Sequence, residues 1–268
     1  MPYAINKLDR TRIYFEDDGG EGDAVVLYGG ILDSVDLVRG SDIAQSLQTL
    51  TEEFRLIFAD HRGLGKSDKP HDVKAYDIQL RVADTVAILD DLSLGRAHFI
   101  GTSYGGRLCF GIGEHAPERV LSMVAGGQQP YAMNPDGPLA RVVQEAMKAS
   151  QIEGIEAFVE ALEQFSGVRI PEAKRVVYLE NDAIAVKAAS DVMLSEGTIV
   201  SNLKIWSFPC LIFVGANDID FYGQAKKASE EIPNAEFLEL GGADHMGAHL
   251  IHDTVIPAVL RTLRSVSN

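Results

Sequence analysis

Apolar positions along this chain follow two alternating rhythms. AVVLYGG, residues 24–30, is an unbroken apolar run closed by glycines, the pattern of a strand buried on both faces of a parallel sheet. RLIFAD at 55–60, AHFIGTS at 97–103, VLSMVAGG at 120–127 and PCLIFVG at 209–215 follow the strand pattern, and AEFLEL at 235–240 reads as a further strand. Segments with helical spacing lie between: DIAQSLQTLTEEF, then residues 77–92 with Ile78, Val82, Val86 and Leu89 on one face, then YGGRLCFGIGEHA stopped by Pro117. Further helices are predicted over 222–232 and 247–264. Strand and helix in alternation predict a mostly parallel sheet flanked by helices, with two short β-like stretches, YAINKL and RIYFEDD, ahead of it.

The rhythm breaks once. From 128 to 207 only helical patterns occur: LARVVQEAMKAS, IEGIEAFVEALEQF, PEAKRVVYLE and AIAVKAASDVML. An all-helical insertion in one α/β domain is more economical than two domains. The predicted organisation is a core of 1–127 and 208–268 carrying a helical cap over 128–207.

Composition narrows the function classes. The 268 residues are 46% hydrophobic and 24% charged, as in a soluble protein with a sizeable core. Lys and Arg number 24 against 39 Asp and Glu, a net charge of −15 that disfavours nucleic acid and anionic lipid as partners. No apolar run approaches the roughly 18 residues a membrane span needs. The N-terminal residues lack the basic-then-apolar pattern of a signal peptide, so the expected setting is cytoplasmic. Cys109 and Cys210 each sit in an apolar stretch, which suits buried free thiols rather than a disulfide framework or metal site.

Candidate chemistry centres on FIGTSYGG. A serine hydroxyl is a poor nucleophile unless a neighbouring base takes its proton. Ser103 follows an apolar strand and precedes a helix, and the glycines two before and two after, Gly101 and Gly105, relieve crowding at so sharp a turn. This is the G-x-S-x-G nucleophile elbow. With it, Asp60-His61-Arg62-Gly63-Leu64-Gly65-Lys66-Ser67 resembles a D-x-R-G-x-G-x-S loop, and Pro117-Glu118-Arg119-Val120 a P-E-R-V segment after the nucleophile helix. Through these motifs the chain resembles the cap-bearing, serine-nucleophile branch of the α/β-hydrolase superfamily, which holds small esterases, enol-lactonases and C–C bond hydrolases. The resemblance covers nearly all of the chain outside 128–207.

That resemblance implies a Ser-Asp-His triad in this chain order. Of seven histidines, His245 follows the last predicted strand at the carboxyl edge of the sheet and matches the family position. His249 and His252 fall in or beside the closing helix. In GANDID the family pattern selects Asp218 as the orienting acid, with Asp220 the alternative. The oxyanion donors implied are the backbone N–H groups of Tyr104 and Ile31. Many relatives carry His-Gly before the second donor; here Gly29-Gly30 stands there, the clearest departure from pattern.

His245 and His249 are spaced as two ligands on a helix, but Met246 replaces the glutamate of H-E-x-x-H and no third ligand is evident. No metal or cofactor is expected. Gly30, Tyr131, Trp206 and Met246 are the substrate-pocket candidates. Met246 directly after the histidine, where C–C hydrolases commonly have tryptophan, lowers that alternative. The expected activity is cleavage of a small, largely apolar carboxylic ester, lactone or thioester through an acyl-enzyme. C–C cleavage, acyl transfer and ligand binding without turnover are the alternatives on the same fold. The expected partner is a small-molecule substrate, and a homodimer through the cap or an edge strand is left open.

Overall fold

A computed structural model describes residues 2–250 and 252–266, and their side chains except those of 249, 250 and 252. Eight strands form one sheet: β1 (Tyr3–Ile5), β2 (Arg12–Asp17), β3 (Asp23–Tyr28), β4 (Phe54–Ala59), β5 (Ala97–Thr102), β6 (Val120–Gly126), β7 (Cys210–Gly215) and β8 (Ala235–Leu240). Their order is β1-β2-β4-β3-β5-β6-β7-β8. The first two strands pair antiparallel to each other, and β2 antiparallel to β4; every later pairing is parallel. The chain is thus an α/β protein with a mostly parallel central sheet.

Period-two alternation sends successive side chains of each strand to opposite faces. Val26, Tyr28, Ile57, Phe99, Met123 and Ile212 join one core, against helices α3 (Ile78–Asp91) and α4 (Tyr104–His115). Val25, Leu27, Leu56, Phe58, Ile100, Leu211 and Phe213 join the other, beneath α1 (Val35–Arg39), α2 (Asp42–Gln48) and α10 (His252–Arg264). The short helix α9 (Tyr222–Glu231) covers the first face beside β7 through Ala225 and Ala228. Burial on both faces is why these strands read as unbroken apolar runs. The exception is β8, a half-exposed edge strand.

Two elements depart from the sequence expectation: the closing helix predicted over 247–264 is preceded by a 3-10 turn at Gly247–Leu250, with α10 running from His252, and an earlier helix is shortened. The helical pattern at 42–54 is a helix only to Gln48; Leu50 O then accepts from the N–H groups of Glu53 and Phe54, a turn that feeds β4. The preceding α1 escaped notice because five residues carry too little periodicity to register.

Between β6 and β7 the chain makes four helices: α5 (Pro138–Glu153), α6 (Ile155–Ser166), α7 (Glu172–Leu179) and α8 (Ala183–Ser195). Their two stems meet, with Ile199 N–H donating to Pro130 O at 2.9 Å. Beneath that junction lies Arg107 of α4, fully buried. Its guanidinium donates to Gln129 O (3.0 Å) and Tyr131 O (2.7 Å) on the outgoing stem, and to Gly197 O (2.9 Å) and Glu196 (3.3 Å) on the returning one. One cation on the nucleophile-bearing helix therefore holds both ends of the insertion.

Candidate active site

Ser103 sits between β5 and α4 with φ 52° and ψ −112°, a conformation that L side chains rarely adopt. The flanking glycines have concrete reasons. A Cβ on Gly101 would lie 2.2 Å from Gly105 O, and one on Gly105 would lie 2.8 Å from Gly29 O. Only bare backbone lets β5, the first turn of α4 and the loop after β3 come so close.

Ser103 Oγ is 3.1 Å from His245 Nε2, and His245 Nδ1 is 2.8 Å from Asp218 Oδ2. The carboxylate accepts, so Nδ1 carries the hydrogen and Nε2 faces the serine hydroxyl as an acceptor. Asp218 and His245 are buried, 3% and 6% exposed. The ring of Phe221 lies against His245, centroids 4.9 Å apart. Asp220 is turned away: its carboxylate accepts Leu139 N–H at 2.9 Å in the first turn of α5. Burial holds the Asp220 carboxyl above the usual carboxylate range.

Tyr104 begins α4, where the first N–H groups have no intrahelical acceptor and the helix dipole favours negative charge. Ile31, in the loop after β3, lines the cavity described below and packs against the buried cluster that holds Tyr104. Beneath that loop sits His61, missed as a contributor by sequence reasoning. Its Nε2 is 3.0 Å from Gly29 O, and because a carbonyl only accepts, Nε2 is the protonated nitrogen. The ring stacks on Tyr28 and meets Tyr104 edge-on. Burial, helped by the nearby Arg81 charge, pushes His61 down to about 3, so it is neutral. The only sequence signal for this role was its place in the 60–68 loop. In that loop Asp60 accepts the N–H groups of Val35 (2.6 Å) and Lys66 (2.7 Å), linking it to α1.

A cavity of about 430 Å³ opens onto Ser103 and His245. Its walls are mostly apolar, including Met133, Val143, Phe158, Leu162, Met193 and Phe221 from the inserted helices and the core. Of the pocket candidates, Gly30 and Met246 line this cavity. Tyr131 and Trp206 do not, which corrects the sequence expectation for both. Trp206 is 4% exposed and packs between Phe110 and Phe208, over Gly113, where a Cβ would lie 2.6 Å from the indole. Tyr131 sits at the stem of the insertion with Lys227 over its ring. The side chains of His249 and His252 lie outside the described residues.

The model of the alpha/beta hydrolase fold family matches residues 23–249. The chain belongs to that family and is a hydrolase of the α/β fold. A non-heme chloroperoxidase from Streptomyces lividans is 27% identical over 280 residues, spanning 97% of this chain and 99% of the relative. Among solved structures, the enol-lactonase from Burkholderia xenovorans LB400 superposes with a TM-score of 0.81 at 20% identity, covering 98% of this chain and 100% of that one. A thermophilic esterase from Thermogutta terrifontis gives 0.81 at 21%, covering 99% and 98%. At such identities the superpositions speak for the fold. No described helix is long and apolar enough to cross a membrane.

Proposed function

We propose that this protein is a serine hydrolase that cleaves a small, largely apolar carboxylic ester, lactone or thioester through an acyl-enzyme. The observation that carries the reading is the hydrogen-bonded series Ser103–His245–Asp218 opening into an apolar cavity. Ser103 Oγ attacks the acyl carbon while its proton passes to His245 Nε2, and Asp218 steadies the resulting imidazolium. The N–H groups of Tyr104 and Ile31 receive the developing oxyanion. Collapse breaks the bond to the leaving oxygen or sulfur, which takes the proton from His245. Water then attacks the acyl-enzyme, gives its proton to His245, and the acid departs as Ser103 regains its hydrogen.

The helices between β6 and β7 act as the cap, and the apolar wall they share with the core accepts the acyl chain. A volume of about 430 Å³ suits a small substrate. Treatment with a fluorophosphonate, adduct mapping, and a p-nitrophenyl ester series from acetate to decanoate test the reading. Ser103 is expected to carry the adduct, with turnover greatest for short to medium chains and abolished in Ser103→Ala. A folded protein that takes no label and hydrolyses none of the esters would sink it.

A further inference from the structure

The loop after β3 carries glycine at both 29 and 30, yet it is not slack. The volume next to Gly29 is filled by Asp33: a Cβ built on Gly29 would lie 2.5 Å from Asp33 Cβ and 2.8 Å from its Oδ2. That same Oδ2 accepts the Gly30 N–H at 2.7 Å, while Asp33 N–H returns to Gly30 O at 3.2 Å. The carboxylate therefore clamps the Gly29–Gly30 peptide, and the Asp33 backbone N–H holds the next one, whose N–H is that of Ile31.

Its other oxygen reaches into the inserted helices. Asp33 Oδ1 accepts the Tyr178 hydroxyl of α7 at 3.0 Å and lies 3.6 Å from Lys174 Nζ, one turn earlier on the same helix. Tyr178 is buried, and burial together with the Asp33 charge raises its phenol well above the ordinary value, so it stays a donor. A neighbouring contact ties the same two elements: Asn181 Nδ2 donates to Leu32 O at 3.0 Å.

On the core side the clamp ends a run of peptide groups. Arg81, buried in α3, donates to Tyr104 O (3.1 Å); Gly105 N–H donates to Gly29 O (3.0 Å); Gly30 N–H donates to Asp33. A buried cation and a carboxylate thus terminate a line of two aligned peptides. Such a line favours one loop position over others, because each bond polarises the next. The Ile31 and Tyr104 N–H groups belong to the peptides covalently next to the two in this line.

We propose that Asp33 is the positioning residue of the oxyanion loop, tying the Ile31 N–H to helix α7 so that the seating of the inserted helices sets the donor geometry. The proposal rests on the hydrolase reading above for its effect on catalysis. Its loop-ordering half stands apart from that reading and is measured separately.

The test uses the full chain as wild type, Asp33→Ala, Asp33→Asn, Tyr178→Phe and the Asp33→Ala/Tyr178→Phe double variant. Three readouts are taken: amide hydrogen exchange over 29–33, the rate of Ser103 phosphonylation, and kcat and KM on p-nitrophenyl butyrate. Asp33→Ala is expected to speed exchange across 29–33 and to lower kcat and the phosphonylation rate roughly 10- to 100-fold, less than the roughly 10²- to 10³-fold of an oxyanion donor lost outright, with KM changed less than about threefold. Tyr178→Phe is expected to show the same pattern at about 3- to 10-fold, and Asp33→Asn to recover part of the loss. Because Tyr178 acts through Asp33, the double variant should be no worse than Asp33→Ala within about twofold. Unchanged exchange in a folded Asp33→Ala or Tyr178→Phe overturns the proposal, as do independent, multiplying losses. If the wild type takes no label, the hydrolase reading fails, and the exchange data alone decide whether Asp33 orders the loop. Tyr178→Phe, which removes one oxygen, keeps the question decidable should the Asp33 variants not fold.

Discussion

Asp218 and Asp220 stand two residues apart and face opposite structures: Asp218 binds His245 Nδ1 at 2.8 Å, whereas Asp220 accepts Leu139 N–H at 2.9 Å at the start of α5. The turn that separates them is pinned by Phe221 and Tyr222, whose N–H groups both donate to Asp218 O. One carboxylate orients the candidate base; the other holds an inserted helix to the core. Asp218→Asn is expected to lower kcat by about 10⁴, the usual cost of losing the acid that fixes the tautomer. Asp220→Ala should leave kcat within about fivefold while lowering stability by about 1 kcal/mol, as loss of a helix cap does. Steady-state kinetics and urea melts on the two variants check the division of labour.

The backbone at Ser103 gives a second expectation. Positive φ at a residue with a Cβ costs on the order of 1–3 kcal/mol. Ser103→Ala keeps the Cβ and the strain, whereas Ser103→Gly removes both. Both variants should be inactive, yet the glycine variant should exceed the alanine one by about 1 kcal/mol, the gain being trimmed by glycine's greater freedom when unfolded. Thermal melts of the two read the difference directly.

Acid stability follows from His98, fully buried in β5 with Nδ1 2.7 Å from Ser122 Oγ. Burial pushes it down to about 4. Unfolded, it takes up a proton near the ordinary histidine value of about 6.5, while the native state refuses one until about 4. Its contribution to stability is therefore present at neutral pH and drains away as pH falls through that window. Asp60, raised to about 6 by burial, works oppositely, its native form binding the proton first between about 6 and 3.8. To isolate the histidine, unfolding free energies of wild type and His98→Gln are compared at pH 7 and pH 5. The wild type should lose about 1–2 kcal/mol more than the variant on acidification; parallel pH curves would refute the assignment.

Arg107 offers a test of how the insertion is held. Arg107→Met leaves three stem carbonyls without their donor and Glu196 without its cation. Breaking a buried pair of this sort typically costs about 3–5 kcal/mol. Limited proteolysis should then cut first near 129–131 or 196–197, before the sheet gives way.

The parts of this molecule legible from sequence were those whose causes are local. Ser103 declares itself through Gly101 and Gly105, because the crowding they relieve lies within the same turn. His245 and Asp218 were picked out by their match to the family's positions in the loops after β8 and β7, of which only β7 is an unbroken apolar run. The pocket was harder. Trp206 and Met246 look equally suited to a cavity, and only the path of the returning stem puts the indole over Gly113 while Met246 lines the cavity. Asp33 was passed over altogether. Its meaning comes from Tyr178, 145 residues away, and no local pattern carries that separation.

The meeting of Pro130 with Ile199 has a consequence for engineering of the chain. To the sheet, the excursion between these residues has nearly the end-to-end span of a tight turn, so exchanging its contents leaves the strand order undisturbed. At its stems the excursion is closed by one backbone bond and one guanidinium. A transplanted segment has to present carbonyls to Arg107, a hydroxyl to Asp33, a helix N–H to Asp220 and a donor to Leu32 O to inherit the machinery below.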